Sequence, residues 1–151
     1  MVADGATGDD GGTKMKKALA GLAAAGLILT AGGTAAAAWS SAIPALRSDG
    51  VGFVDGRYRF NPAGVNHGAF EWAGRLRDTD GGDGHNVYMQ VRVEGHDWVR
   101  YDGKQKQSVW MHHSDWDGAE RYTIDAYMRA CRDRGSLRPD NCSPSQHFTK
   151  R

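Results

Sequence analysis

The sequence predicts an all-β protein: a small antiparallel β-sandwich of about six to seven strands, with one disulfide, behind a cleavable signal peptide. Three observations carry this. Runs of strict apolar–polar alternation recur between residues 53 and 131. Asp- and Gly-rich turns separate them at short spacing. No long stretch beyond the leader repeats at the helical period.

The chain has 151 residues, 25% charged and 40% hydrophobic, a length that suits one domain. Its 19 Lys and Arg face 18 Asp and Glu. That balance excludes a nucleic-acid binder working through overall phosphate charge, and equally an acidic solvating chain. Two cysteines are too few for a disulfide-stapled miniprotein.

The leader is read over residues 15–38. Met15-Lys16-Lys17 is a basic start, Ala18 to Ala31 is an uncharged apolar run, and Ala35 to Ala38 offers small-residue cleavage frames. The run is shorter than the roughly 20 residues of a spanning helix. Residues 1–14 carry Asp4, Asp9 and Asp10, which suit neither an n-region nor a fold, and read as an upstream start or an n-region extension. The expected product is secreted and extracellular, with no membrane anchor after cleavage. In that oxidising setting Cys131 and Cys142 are expected to pair.

The elements follow in order. Residues 39–52 lack periodicity and read as an extended N-terminal arm, with a single β domain over 53–151. Phe53-Val54 and Arg57 to Phe60 flank Asp55-Gly56, a tight-turn pair, so a hairpin is expected there. Asn61-Pro62-Ala63-Gly64 ends that unit. Phe70, Trp72, Gly74 and Leu76 alternate with Glu71, Ala73, Arg75 and Arg77. Val87, Met89, Val91 and Val93 alternate with Tyr88, Gln90, Arg92 and Glu94, the cleanest period-two run. Trp98 to Tyr101 and Ser108 to His112 are shorter strands that Asp102-Gly103-Lys104 would join as a hairpin. Tyr122 to Cys131 alternates again, against a helical competitor over 119–134; its Tyr, Thr and Ile content favours the strand. Val87, Met89, Val91, Val93, Ile124, Ala126 and Met128 are the expected core.

Chemistry is harder to place. Asp78, Asp80 and Asp83 sit among glycines and could present oxygen ligands to Ca²⁺. Two glycines separate Asp80 from Asp83, however, and no bidentate Glu follows, so an ordinary turn competes. No other cofactor is expected. His112 and His113 are adjacent, which in a strand points them to opposite faces. No serine lies in a G-x-S-x-G setting. Carboxylate pairs for a glycosidase would come from Glu71, Glu94 and Glu120. The aromatics are the better lead. Trp98, Tyr101, Trp110 and Trp116 fall close together among charged residues, with Tyr127 farther on. They suit sugar rings or a protein partner. Trp98 and Trp110 read equally as core. Trp116, inside Ser114-Asp115-Trp116-Asp117-Gly118, reads as projecting outward.

A resemblance emerges from these residues. Gly74 to Thr79 (GRLRDT), Asp83-Gly84-His85, Val87-Tyr88, Cys131-Arg132-Asp133 and Asp140-Asn141-Cys142 resemble short secreted single-domain β-sandwich proteins of actinomycete bacteria. It covers about residues 70–143 and rests on turn and disulfide signals. The resemblance implies an exported, β-rich protein. It transfers no catalytic residue, and members of that group mostly lack an assigned function.

The resulting expectation is a non-enzymatic extracellular binding or interaction module. It would be a subunit of an extracellular assembly or a binder of a carbohydrate or cell-surface protein, with no nucleic-acid partner. The alternative is a small secreted hydrolase or a hydrolase inhibitor. An inhibitor would present the disulfide loop 132–141, with Leu137-Arg138 at its centre.

Overall fold

A computed structural model describes residues 38–39, 41–118 and 122–151. The leader over 15–38 and the segment 1–14 lie outside them, Ala38 excepted. Among the described residues no helix is long and apolar enough to cross a membrane. The fold is all-β, as the alternation requires: two antiparallel sheets of five strands each.

The first sheet contains β1 (Ser41–Ile43), β2 (Leu46–Ser48), β3 (Val51–Phe60), β4 (Phe70–Asp78) and β7 (Ser108–Asp115). The second contains β5 (Val87–Val93), β6 (Val99–Asp102), β8 (Asp125–Arg132), β9 (Asn141–Cys142) and β10 (Gln146–Thr149). The expected six or seven strands correspond to the longer members; β1, β2 and β9 are fragments of edge strands. β1 and β2 share one register on β3 and are interrupted at Pro44-Ala45, where proline has no N–H to donate.

These two fragments correct the reading of residues 39–52 as a free arm. Ile43 and Leu46 are buried in the core, so the β domain begins at β1 rather than at residue 53. The segment has no visible period because each fragment is only three residues long.

The hairpin expected at Asp55-Gly56 is also corrected. β3 runs straight through it, and its pairing with β4 slips by one residue between Val54 and Arg57. The turn is the earlier pair, Asp49-Gly50, between β2 and β3. The cause is parity. Val51 and Phe53 must face inward, and so must Tyr58 and Phe60. One extra residue on β3 switches the inward set from odd to even numbers. Asp55 takes the left-handed conformation, φ 55°, and Gly56 passes beneath Ile43 and Phe53, where a Cβ would stand 2.7 Å from each.

β4 and β5 meet the expectation closely. Phe70, Trp72 and Leu76 from β4 pack against Val87, Met89, Val91 and Val93 from β5. On β8, Ala126, Met128 and Ala130 are buried, and the strand displaces the helical alternative. Each large aliphatic side chain so removed from water contributes about 1.5–3 kcal/mol. Ile124 is a correction: it is exposed, because it precedes β8 in an irregular segment whose N–H is held by Glu94. Trp98 and Trp110 are not core either. Met111 takes the inward position on β7, and Trp72 is the fully buried tryptophan.

The Asp102-Gly103-Lys104 turn does not make a hairpin. β6 pairs with β5 and β7 pairs with β4, so this link crosses from one sheet to the other. Gly103 allows the crossing: its N–H donates to the Val87 carbonyl at 2.8 Å, and a Cβ would meet Leu76 at 2.7 Å. Cys131 and Cys142 form the expected disulfide, across the β8–β9 pair. A loop of this size contributes about 2–3 kcal/mol in the chain-entropy account, and the bond suits an oxidising compartment.

Candidate functional site

Pairing of β5 with β8 places polar and aromatic side chains in rows on the outer face of the second sheet. Arg92 stands opposite Tyr127, and Gln90 opposite Arg129. β10 adds His147 beside Tyr127. The chain turning into β6 brings in Trp98. A continuous ladder results. The Arg129 guanidinium lies 4.4 Å from the Trp98 ring centre, and Arg92 lies 5.1 Å from Trp98 and 4.7 Å from Tyr127. Tyr127 and His147 stack at 4.3 Å with their planes 5° apart. Guanidinium–ring attraction holds such rows in place. Arg129 also donates to Gln90 Oε1 at 2.8 Å, and His147 meets Asp125 at 2.7 Å.

Beside the ladder lies an open cleft of about 490 Å³. Arg92 and Tyr127 form one side, with Glu94, His96, Asp97 and Asp125 around it. Glu94 accepts the backbone N–H groups of Ile124 and Asp125 at 2.6 and 2.9 Å, which fixes the approach to β8.

The structure brings together two of the five aromatics singled out from the sequence, Trp98 and Tyr127. It separates the others. Tyr101 points inward from β6 and is half-buried. Its hydroxyl donates to Asp115 Oδ1 at 2.6 Å, while Trp72 Nε1 donates to Asp115 Oδ2 at 3.0 Å. Burial raises the Tyr101 phenol above its usual range, and the Asp115 bond raises it further. Burial also raises Asp115, against the opposing pull of the Tyr101 and Trp72 bonds. Neighbouring His113 is pushed down by burial. Trp110 lies on the outer face of the first sheet, 46% exposed. Trp116 is 42% exposed and stacks on His67 at 4.6 Å.

The candidate carboxylates are committed elsewhere. Glu71 is buried and accepts from Arg59, from Asn61 Nδ2 at 3.0 Å, and meets His112 at 2.7 Å. Burial alone would raise its pKa, but the bonds from Asn61, His112 and Arg59 prevail and hold it at about 2. It is a structural anion, unsuited to giving a proton near neutrality. Glu120 lies outside the described residues. Asp78 is bonded apart from the other two, whereas Asp80 and Asp83 both reach Arg132 Nη2. Asp78 accepts the N–H groups of Asp80 and Lys106 at 3.0 and 2.6 Å. Asp83 pairs with Arg132, whose guanidinium also reaches Asp80 at 3.6 Å.

The disulfide loop 132–141 is braced at both feet. Asp133 accepts from Arg100 at 2.8 Å and from the Gly135 N–H at 2.9 Å. Asp140 accepts from the Tyr88 hydroxyl and from the Arg134 N–H. At the apex Leu137 is 95% exposed. The Arg138 N–H donates to the Gly135 carbonyl, closing a turn around Ser136 and Leu137.

Comparison with protein-family models, with curated proteins and with solved structures found no match to this chain. The geometry alone therefore supports a functional reading. Sequence reasoning missed Arg92, Arg129 and His147 as members of the ladder. Its only sign is their place on the outer parity of three strands, and their adjacency depends on register.

Proposed function

We propose that this protein is a secreted, non-enzymatic binding module that engages a carbohydrate surface through the outer face of its second sheet. The observation that carries the reading is the Trp98–Arg92–Tyr127–His147 ladder beside a cleft edged by Asp97 and Asp125. Sugars present apolar C–H faces and hydroxyl edges. The ring faces are taken up within the ladder, so recognition rests on its outward edges: guanidinium N–H groups and the carboxylates of Asp97 and Asp125 suit the hydroxyls, and the ring edges suit the C–H groups. Export is supported by the leader pattern at residues 15–38 and by the disulfide. The engagement of Glu71 and Glu94 in structural bonds weighs against a glycosidase. The hydrolase-inhibitor alternative is weaker, because a protease takes an extended segment along its cleft, whereas the loop apex at Leu137 is folded into a turn.

The test is a glycan array, followed by titration of the best ligand into wild type, Trp98→Ala and Tyr127→Ala. Loss of an anchor removes at least ~2 kcal/mol, about thirtyfold in affinity. Binding by both variants as tight as wild type, or no glycan bound by the wild type, overturns the reading.

A further inference from the structure

We propose that the outer face of the first sheet is a second docking surface, which takes a linear anionic polysaccharide bearing sulfate or carboxylate groups. The inference stands on residues separate from the Trp98–Tyr127 ladder and does not depend on it.

Strand register places an arginine in each of four successive rows on this face. Arg47 and Arg77 flank Gly52 in the first row, and Arg75 lies between Val54 and Trp110 in the second. Arg57 lies beside Ala42 and Ala73 in the third, and Arg59 opposite Glu71 in the fourth. Alternate residues along a strand stand roughly 7 Å apart, so the arginines form a regular stripe across β3 and β4. Against five arginines the face offers two carboxylates among the described residues. Glu71 is buried under Arg59 and neutralises it. Asp55 reaches Arg75 and Arg77 only at 3.8 and 3.9 Å, between well-exposed side chains, where ion pairing is worth little. Arg57 has no carboxylate partner among the described residues. A chain with nearly equal numbers of basic and acidic residues has thus gathered positive charge on one sheet face.

Two tryptophans order that charge. Arg57 lies 4.8 Å from the Trp39 ring centre and 5.7 Å from Trp110; Arg59 lies 5.0 Å from Trp39, and Arg75 lies 5.8 Å from Trp110. Arg59 spends its N–H edge on Glu71; a guanidinium held over a ring by its flat face, as at Arg57 and Arg75, still presents its N–H edge to an anion. Sulfate and carboxylate accept from that edge in a bidentate manner. Holding the side chains in place beforehand lowers the entropy lost on binding. The same stacking decides between polyanions. Single-stranded nucleic acid needs aromatic faces for its bases, and here guanidinium groups lie over those faces. An anionic glycan needs only the edges.

The experiment measures retention of the full chain, disulfide formed, on immobilised dextran sulfate, neutral dextran and oligo-deoxythymidylate under a salt gradient. The proposal expects retention on dextran sulfate alone. Arg57→Ser/Arg75→Ser/Arg77→Ser should bind at least tenfold more weakly, whereas Lys104→Ser/Arg134→Ser/Arg138→Ser, with the same loss of charge elsewhere, should elute near wild type. Circular dichroism checks the fold of both triples. If the serine triple unfolds, Arg57→Lys/Arg75→Lys/Arg77→Lys replaces it and should still weaken binding, since lysine keeps charge and loses the bidentate edge. Equal shifts in face and control triples, undiminished binding by the lysine triple, or absence of retention overturns the proposal. Equal or stronger retention on oligo-deoxythymidylate overturns it in favour of a nucleic-acid partner.

Discussion

The Tyr101 hydroxyl donates to Asp115 Oδ1 at 2.6 Å, and this bond ties β6, an edge of the second sheet, to β7, an edge of the first. Trp72 Nε1 shares the same carboxylate at 3.0 Å, so both oxygens of a buried acid are satisfied from the two layers. The link from β6 to β7 crosses between sheets, with one backbone bond to each, Gly103 N–H to the Val87 carbonyl and Asp78 N–H to the Gln107 carbonyl, and the Asp115 side chain adds the closure of that margin.

Tyr101→Phe should therefore destabilise the domain by about 1–3 kcal/mol, the range for losing a hydrogen bond to a buried charged group. Asp115→Leu should cost more, because it leaves two donors unpaired. Urea unfolding of the three proteins checks the order. A Tyr101→Phe midpoint equal to wild type would show that the bond does not close the margin.

Glu71 links stability to acid. Its folded pKa, about 2, lies below the ordinary 4.5. The unfolded chain therefore takes up a proton first as pH falls. The stabilisation is complete above pH ~4.5 and lost between there and ~2, on the order of 3 kcal/mol in all. Urea midpoints measured from pH 6 to pH 2 should fall steeply for wild type and less steeply for Glu71→Gln. Parallel profiles would remove Glu71 from the account.

Gly74 on β4 lies under the Phe53 ring so closely that a Cβ would collide with it. Phe53 is fully buried and meets Trp72 edge-on at 5.9 Å, so it has little room to move. Gly74→Ala should destabilise by about 1–3 kcal/mol, the usual cost of overpacking. Gly82, with nothing within 4 Å of a Cβ, is the control. Thermal melts should separate the two variants clearly; equal melting temperatures would contradict the packing described.

Trp116→Ala should leave the fold intact, since the indole is 42% exposed and stacks only on His67 among the described rings. An expected loss of about 1 kcal/mol or less follows from surface placement. Circular dichroism and melting test this directly, and an unfolded variant would make Trp116 a packing residue. If binding falls while folding holds, the Trp116 loop, which reaches His96 at the cleft through Asp117 at 3.5 Å, belongs to the site.

Some of this architecture was legible in the chain. The alternation over Val87–Val93 and Phe70–Leu76 named the inward residues of β5 and β4 correctly. Compartment and count led to the Cys131–Cys142 pair, and the structure forms it. These are local or composition-level properties: period two states which residues share a face, and a lone cysteine pair has one connectivity.

Tertiary structure decided the rest. Two Asp-Gly pairs look alike in sequence, yet Asp49-Gly50 turns the chain and Asp55-Gly56 bulges it. The difference lies in the inward demand of Tyr58 and Phe60 and in the packing of Ile43 over Gly56. Alternation likewise left Trp98 and Trp110 open between core and surface; Met111 and Trp72 filled the interior and left both outside it. A net charge of +1 concealed a stripe of five arginines, because charge count is a sum over the chain and a stripe is a matter of register. Register joins residues far apart in sequence through the packing of two sheets at once, and no local period contains that information.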